Sequence, residues 1–267
     1  MIFQVTVSIV SNRNFPQNVE LLVELIKRDL KAKYKNTVLG VLWVAIQPLL
    51  FAIVFVLIGN KFLYQLTGYK MDYLSMFAIL IPWQFFVSAL QRGTDSIANN
   101  SHLIYRVKFP IILLPLSVVL SSLIDAFINL FIFFFLMFIL KKIIFLNIVS
   151  LLLVLLIGSV FILSLCILFS LLVSFIGDIR QAVPFLTKLS LFALPILYSE
   201  NIFSGNLRLF YKNIPLVWMI SKTKEIVSSN SYFLSADSLT VMLISTVSLF
   251  IVCIMFKKLE PQVVDYI

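Results

Sequence analysis

Few side chains in this sequence are of the types that carry chemistry. The chain has one histidine, His102, and two cysteines, Cys166 and Cys253, both within apolar runs. This set cannot form a His-based catalytic or metal cluster, and neither cysteine has metal-ligand spacing. The seven glycines lie at least nine positions apart, whereas a phosphate-binding loop needs two or three within about seven residues. The sequence therefore predicts neither a nucleotide-binding loop nor a metal site.

Two ionisable residues, Asp125 and Lys188, lie inside long apolar runs. Charges within a membrane are costly and are treated as functional candidates. Ser121 and Asn129 stand four residues to either side of Asp125, so one helix face presents three polar side chains. We interpret this face as hydrogen bonding between helices, because a proton or ion relay would need more carboxylates. Lys188 is expected to extend its amine to the membrane surface.

The composition indicates what kind of molecule must position these residues. Of the 267 residues, 61% are hydrophobic and 12% are charged, against about 45–50% and about 25% in soluble domains. A soluble enzyme, a nucleic-acid-binding domain and a disordered chain are excluded. The sequence predicts an all-α polytopic membrane protein. Its net charge of +9 sits mostly beside apolar runs, which favours anionic lipid headgroups, not nucleic acid, as the partner.

Six stretches are apolar and long enough to cross a bilayer core of about 30 Å as helices. They are residues 39–59, 73–91, 111–140, 146–176, 182–199 and 238–256. The fifth is the weakest, because it is short and contains Lys188, Pro184 and Pro195. The excess of lysine and arginine before the first span predicts that both termini are cytoplasmic.

Residues 18–37 show a helical pattern with too many charges to span. One broad face is apolar and the opposite face carries Lys27, Arg28 and Lys31, which predicts an amphipathic helix at the membrane surface. Asp29 and Lys33 fall on the apolar side. Their i,i+4 spacing favours an ion pair whose charged ends reach the membrane surface. The alternative is that this face packs against protein and not against lipid.

Two loops are long enough to hold structure of their own. In residues 92–110 we predict a short helix over 94–105 with Thr94 as its N-cap. Residues 199–237 contain Pro215 and two basic residues within an apolar stretch. We predict two short interfacial or re-entrant helices there.

Aromatic residues are abundant, with 26 Phe, 9 Tyr and 3 Trp. On the first span, Trp43, Gln47, Phe51 and Phe55 recur at i,i+4, and on the fifth Phe185 and Phe192 recur at i,i+7. Such stripes usually serve packing or anchoring at the interface. The alternative is a surface along which a sugar ring could slide with little directional demand.

Four stretches carry a resemblance to a known family. LIKRDLKAKYKNTVLGVLWVAIQPLL (25–50) leads from a basic helix into a span with Trp and Pro, and IPWQFF (81–86) precedes a loop ending RVKFPIILLPLSVVL (106–120). FIGDIRQAVPFLTKLSLFALPILYS (175–199) and KKLEPQVVDYI (257–267) follow. In this order they resemble the permease subunit of ABC-2 polysaccharide exporters. One departure is Gly177-Asp178, where the family commonly has Arg-Asp.

The resemblance implies one transmembrane domain over 1–267, acting as a homodimer on a dimer of ATP-binding cassette subunits. ATP and Mg would be held by that partner, and this chain would carry no cofactor. The resemblance makes 18–37 a gate helix, and spans one and five the lining of the export path. The gate residues would be Lys27, Arg28, Asp29, Lys31, Lys33 and Tyr34. It makes 94–105 a coupling helix that docks on the ATPase, with Thr94, Asp95, Asn99, His102, Tyr105 and Arg106.

The implied function is ATP-driven export of undecaprenyl-linked polysaccharide across the bacterial inner membrane, with membrane lipids around the chain. O-antigen is favoured, with capsule or teichoic acid export as alternatives. An ABC-2 exporter of small molecules or drugs, a secondary transporter and an intramembrane enzyme are further alternatives. The single intramembrane carboxylate argues against the secondary transporter. The lack of any His, Cys or carboxylate cluster argues against the enzyme.

Overall fold

The protein is all-α throughout the residues that its computed structural model describes, which are 15–35, 37–59, 61, 72–106, 109–140, 145–198, 204–229 and 236–266. The helices in chain order are α1 (Phe15–Tyr34), α2 (Trp43–Ile58), α3 (Tyr73–Thr94), α4 (Ser101–Arg106), α5 (Leu113–Ile139), α6 (Phe145–Phe175), α7 (Ile179–Ala193), α8 (Gly205–Lys212), α9 (Pro215–Ser229) and α10 (Ala236–Tyr266). Short 3-10 turns at Gly40–Leu42 and Ala98–Asn100 precede α2 and α4.

Five of the six predicted spans are confirmed as helices long and apolar enough to cross a membrane. They are Gly40–Ile58, Tyr73–Thr94, Leu113–Ile139, Ile148–Phe175 and Asp237–Val263. Of the predicted span 182–199, residues 182–193 belong to α7, whose 15 residues give about 22 Å of helix at 1.5 Å per residue. This helix ends at Ala193 because Leu194 adopts an extended conformation, which the following Pro195 favours. The count of six spans therefore stays a prediction.

Helix α3 lies at the centre of the bundle and packs against α2, α5, α6, α7 and α9. Phe77, Leu80 and Ile81 of α3 are fully buried, and the ring of Phe133 of α5 lies tilted against that of Phe77 with centroids 6.2 Å apart. A second apolar cluster joins Leu25 of α1 to Ile97 and to Phe256 of α10. These two clusters fix α3 and α5 relative to their neighbours.

The predicted pair of short helices in 199–237 is confirmed as α8 and α9, with residues 199–203 and 230–235 outside the described ranges. Pro215 is the first residue of α9, where its missing N–H costs nothing. Helix α9 buries Trp218 at 2% exposure and packs against α3 and α6. A Cβ on Gly158 of α6 would lie 2.2 Å from Met219 Sδ. Helix α9 thus packs into the helix bundle, and whether it is interfacial or re-entrant stays a prediction.

Two predicted boundaries were wrong, namely the start of the loop helix and the end of the last helix. Thr94 is the last residue of α3 and its hydroxyl donates to the Leu90 carbonyl at 2.6 Å, so it is not the N-cap of the loop helix. That helix is α4, which begins at Ser101 instead of 94. The last helix continues past 256 to Tyr266. In this extension Glu260 Oε1 accepts a hydrogen bond from Ile111 N at 3.1 Å, close to the start of α5.

Candidate functional site

Helix α1 is attached to α5 through polar contacts. Lys33 Nζ lies 2.5 Å from Asp125 Oδ2, and Tyr34 Oη donates to Asp125 Oδ1 at 2.6 Å. One turn earlier, Ser117 Oγ donates to Asp29 Oδ2 at 3.4 Å. Asp29 and Lys33 therefore reach across to α5 instead of pairing with each other. The alternative that this face of α1 packs against protein is confirmed, as is the interpretation of Asp125 as a hydrogen-bonding residue between helices.

The Asp125 contacts explain how a carboxylate is tolerated at 5% exposure. A buried charge is costly unless it is paired and hydrogen-bonded, and here both carboxylate oxygens have a partner. Burial and the hydrogen bond to Asp125 raise the pKa of Tyr34 well above its usual range. The phenol therefore stays protonated and remains a donor at physiological pH.

The basic face of α1 points away from this contact. Lys27, Arg28 and Lys31 are exposed, and Lys27 Nζ lies 2.8 Å from Glu24. The amphipathic character predicted for residues 18–37 is therefore confirmed, while a gating role for these residues stays a prediction.

A cavity of about 620 Å³ lies beside the α1–α5 contact. Such a volume is typical of ligand sites. Its lining comes from the end of α1, from α2, from α3 and from α5, and includes Lys33, Tyr34, Trp43, Gln47, Phe51, Ile81, Trp83, Gln84, Ser88, Gln91, Arg92, Ser122, Asp125 and Asn129. Along α3 the lining runs from Ile81 to Arg92, about 16 Å at 1.5 Å per residue. This length equals about half of a bilayer core of about 30 Å.

The aromatic residues predicted to line a path are divided by the structure. Trp43, Gln47 and Phe51 line the cavity. Phe55 stacks on Phe51 with ring centroids 6.0 Å apart, and Phe51 meets the edge of Trp83 at 6.2 Å. Phe185 and Phe192 of α7 are 62% and 67% exposed and face away from the cavity.

The orientation of α7 has a clear physical cause. Its polar residues are directed toward α3, where Gln91 Nε2 donates to Thr187 Oγ1 at 2.7 Å and Trp83 Nε1 donates to Ser190 Oγ at 3.1 Å. The opposite face of α7 is therefore the one that carries Phe185 and Phe192. Lys188 is also exposed, in line with its expected position at a surface.

Several polar atoms of the cavity wall have unused hydrogen-bonding capacity. Arg92 Nη2 donates to Ser121 Oγ at 3.2 Å. Within the described ranges, Arg92 Nη1, Ser122 Oγ and Asn129 Oδ1 are buried and have no partner. A buried polar group without a partner costs about 1–3 kcal/mol. The cavity wall therefore carries hydrogen-bonding atoms that a polar molecule would satisfy.

The residues predicted to couple to an ATPase separate into two groups. Thr94 is 1% exposed and belongs to the interior. Asp95 Oδ1 lies 2.8 Å from Arg180 Nε, which joins the end of α3 to the start of α7. Asn99, His102, Tyr105 and Arg106 are exposed together on the α4 segment. These four form one exposed part of the surface.

Sequence reasoning missed the polar stripe of α3 and the free donor of Arg92. Gln84, Ser88 and Gln91 recur at i, i+4 and i+7, which is the spacing of one helix face, and this signal was readable within the second span. No comparable pattern marked Glu260, whose partner lies 149 positions away. Among the described residues no group of three or more His, Cys, Asp or Glu side chains could hold a metal ion.

The amino-acid sequence is similar to those of known proteins. Residues 20–227 match the family model described as ABC-2 type transporter. An O-antigen export system permease protein RfbA of Myxococcus xanthus is 35% identical over 104 residues, and one of Klebsiella pneumoniae is 34% identical over 112 residues. Each alignment covers 39% of this chain and 39% of the relative. The similarity to these relatives thus spans about two fifths of their length.

Proposed function

Because the chain belongs to the ABC-2 type transporter family, we propose that it is the permease subunit of an ATP-driven exporter of undecaprenyl-linked polysaccharide, with O-antigen as the favoured cargo. Membership makes the chain a membrane subunit for transport. The name shared by its relatives, O-antigen export system permease, favours this cargo over capsule and teichoic acid.

The observation that carries the proposal is the lining of the cavity. Sugar rings present weakly apolar faces and hydroxyl edges. Trp43, Phe51 and Trp83 offer aromatic faces, and Gln47 and Gln84 offer amides that both donate and accept. A small apolar drug would need fewer amides, and sites for hard metal cations favour carboxylate ligands. Among the described lining residues the one carboxylate, Asp125, is already bound to Lys33 and Tyr34.

In this proposal α1 is the gate helix. Its last turn forms part of the cavity wall through Lys33 and Tyr34. Separation of these side chains from Asp125 would move that wall and widen access to the cavity. The three contacts of Asp29, Lys33 and Tyr34 with α5 therefore define the closed position.

The proposed partners are an ATP-binding subunit and a second copy of this chain. Family membership implies the first, which would hold ATP and Mg while this chain holds no cofactor. Asn99, His102, Tyr105 and Arg106 are the proposed docking surface. The second copy would cover the exposed faces of α2 and α7, including Phe185 and Phe192. In such a homodimer these phenylalanines could still contribute to a shared path.

We place the protein in the bacterial inner membrane as a single transmembrane domain with both termini cytoplasmic. The test is complementation. This chain and its ATP-binding partner are expressed in an O-antigen-producing strain that lacks its own exporter, and surface polysaccharide is measured with antibodies. Restored O-antigen supports the proposal. Normal membrane insertion and ATPase association without export of any polysaccharide would refute it. Export of capsule or teichoic acid alone would correct the cargo.

A further inference from the structure

Arg92 is a half-buried cation that forms no ion pair with a carboxylate in the described part of the chain. Two cations, Lys33 and Arg92, and one carboxylate, Asp125, line the cavity. Asp125 is engaged by Lys33 and Tyr34, and the nearby Asp95 is engaged by Arg180. One positive charge is left uncompensated. Arg92 Nη2 donates to the neutral hydroxyl of Ser121. Arg92 Nη1 is buried and has no hydrogen-bond partner within the described ranges.

Neighbouring atoms in the same wall also lack partners. Ser122 follows directly after Ser121, to which Arg92 donates, and its buried hydroxyl has no partner within the described ranges. Asn129 Oδ1 is likewise buried and has no hydrogen-bond partner within the described ranges. Asn129 lies seven residues along α5 from Ser122, about 10 Å at 1.5 Å per residue. The wall therefore offers donors at one level and an acceptor about two helical turns away.

We propose that this wall is a binding site for an oxyanion that adjoins a sugar, with Arg92 and Ser122 donating to the phosphate or carboxylate oxygens and Asn129 accepting from a sugar hydroxyl. The inference rests on the proposed function, because it assigns part of the cargo to a part of the cavity. The planar fork of a guanidinium matches phosphate and carboxylate oxygens. Buried polar groups without partners are expected where a ligand supplies them.

Two sources could supply this oxyanion. One is the pyrophosphate that joins the polysaccharide to its lipid carrier, and the other is an acidic sugar within the chain. Both present the same negatively charged oxygens beside a ring with hydroxyl groups. A neutral sugar lacks the charge and would leave Arg92 uncompensated.

The experiment measures binding to the purified full-length permease in nanodiscs. The probes are undecaprenyl pyrophosphate incorporated in the nanodisc lipid, inorganic pyrophosphate, glucuronate and, as a neutral control, glucose. The variants are Arg92→Gln and Arg92→Lys. Arg208→Gln is the matched control, because Arg208 of α8 is an exposed arginine outside the cavity lining. We expect Arg92→Gln to weaken oxyanion binding roughly 10- to 100-fold, as for a charged hydrogen bond, and Arg92→Lys to weaken it less.

Thermal unfolding of each variant separates binding from structure. Since Arg92 carries an unused buried donor, Arg92→Gln should unfold at the wild-type temperature or above, whereas a purely structural arginine would lower it. Preference for the pyrophosphate probes assigns the site to the lipid linkage, and preference for glucuronate assigns it to an acidic sugar. Equal affinity of wild type and Arg92→Gln, or no oxyanion binding by wild type, would overturn the site. Surface polysaccharide in the complementation assay tests the proposed function separately.

Discussion

Lys33 at the end of α1 and Asp125 within α5 lie 2.5 Å apart although they are 92 positions apart in the chain. The pair joins the amphipathic helix to the transmembrane bundle. Because Asp125 is buried and the Lys33 side chain is one-third exposed, the pair lies between the solvent and the cavity. Its consequences for stability and transport can be measured.

Lys33→Met should lower the free energy of unfolding by about 1–3 kcal/mol, because it leaves the Asp125 carboxylate buried with one partner. The double variant Lys33→Met/Asp125→Asn should recover part of this loss, since the amide carries no charge and can still bond Tyr34. Thermal unfolding in detergent is the measurement, and Lys31→Met on the exposed face is the control. A double variant less stable than Lys33→Met would contradict the pairing.

Gly158→Ala should destabilise the protein by about 1–3 kcal/mol through overpacking, because the new methyl group would meet Met219 Sδ. Truncation of Met219 removes that atom, so Gly158→Ala/Met219→Ala should be more stable than the sum of the two single effects. Gly177→Ala is the control, since a Cβ there meets nothing within 4 Å. Additive losses would argue that α9 does not pack on α6 in the membrane.

Arg106→Glu should reduce the ATPase activity that the permease stimulates in its partner, because it reverses an exposed charge of the α4 segment. Asp95→Arg should also reduce the stimulated ATPase activity, but only because the contact with Arg180 is lost. The exchange Asp95→Arg/Arg180→Asp restores that contact and should restore stimulation. Each exposed ion pair is worth only about 0–1 kcal/mol, so folding should be retained. If the exchange remained as defective as Asp95→Arg, Asp95 would itself belong to the docking surface.

The orientation can be tested with single cysteines in a background free of Cys166 and Cys253. A cysteine at Ser204 should react with an impermeant thiol reagent from outside, whereas one at Asn99 should react only after the cells are opened. Both positions are exposed, so their reactivity reports the side of the membrane. Ser96 would be a poor choice because it is buried, and Ser231 lies outside the described residues. Labelling of Asn99 in sealed cells would reverse the proposed topology.

Phe51→Ala should reduce surface polysaccharide per inserted permease while folding is largely retained, because Phe51 lines the cavity and is partly exposed. Phe133→Ala is the matched control. Phe133 is fully buried, so its truncation should cost about 3–5 kcal/mol and lower the amount of folded protein. If export fell only in proportion to the amount of folded Phe51→Ala protein, Phe51 would be a packing residue and not part of the export path.

The sequence predicted five spans closely because each is a long apolar run whose length is set by the bilayer. It could not exclude a sixth, since α7 is also apolar and only the break at Leu194 shortens it. Asp29 and Lys33 were recognised as misplaced on an apolar face. The sequence favoured an ion pair between them that reaches the interface, and a protein neighbour was the alternative that the structure shows. Their partners on α5 were not predictable, because a hydropathy pattern carries no information about which helices become neighbours.

The same limit applied to the aromatic residues. Spacing alone placed Trp43, Gln47 and Phe51 on one face of α2, and they do line a common cavity. It also placed Phe185 and Phe192 on one face of α7. The direction of that face depends on the hydrogen bonds that Thr187 and Ser190 accept from α3. These bonds depend on tertiary neighbours that periodicity does not contain.

The hydrogen bond between Glu260 and Ile111 has a consequence for how the protein is made. Ile111 leaves the ribosome 149 residues before Glu260, which is roughly 7 to 30 s at ordinary rates of synthesis. The four long apolar helices that precede α10 reach the membrane insertion machinery before the backbone N–H of Ile111 can meet its acceptor. The C-terminal part of α10 therefore completes the beginning of α5. A nascent chain that stops short of Glu260 would insert those four helices and still lack this hydrogen bond.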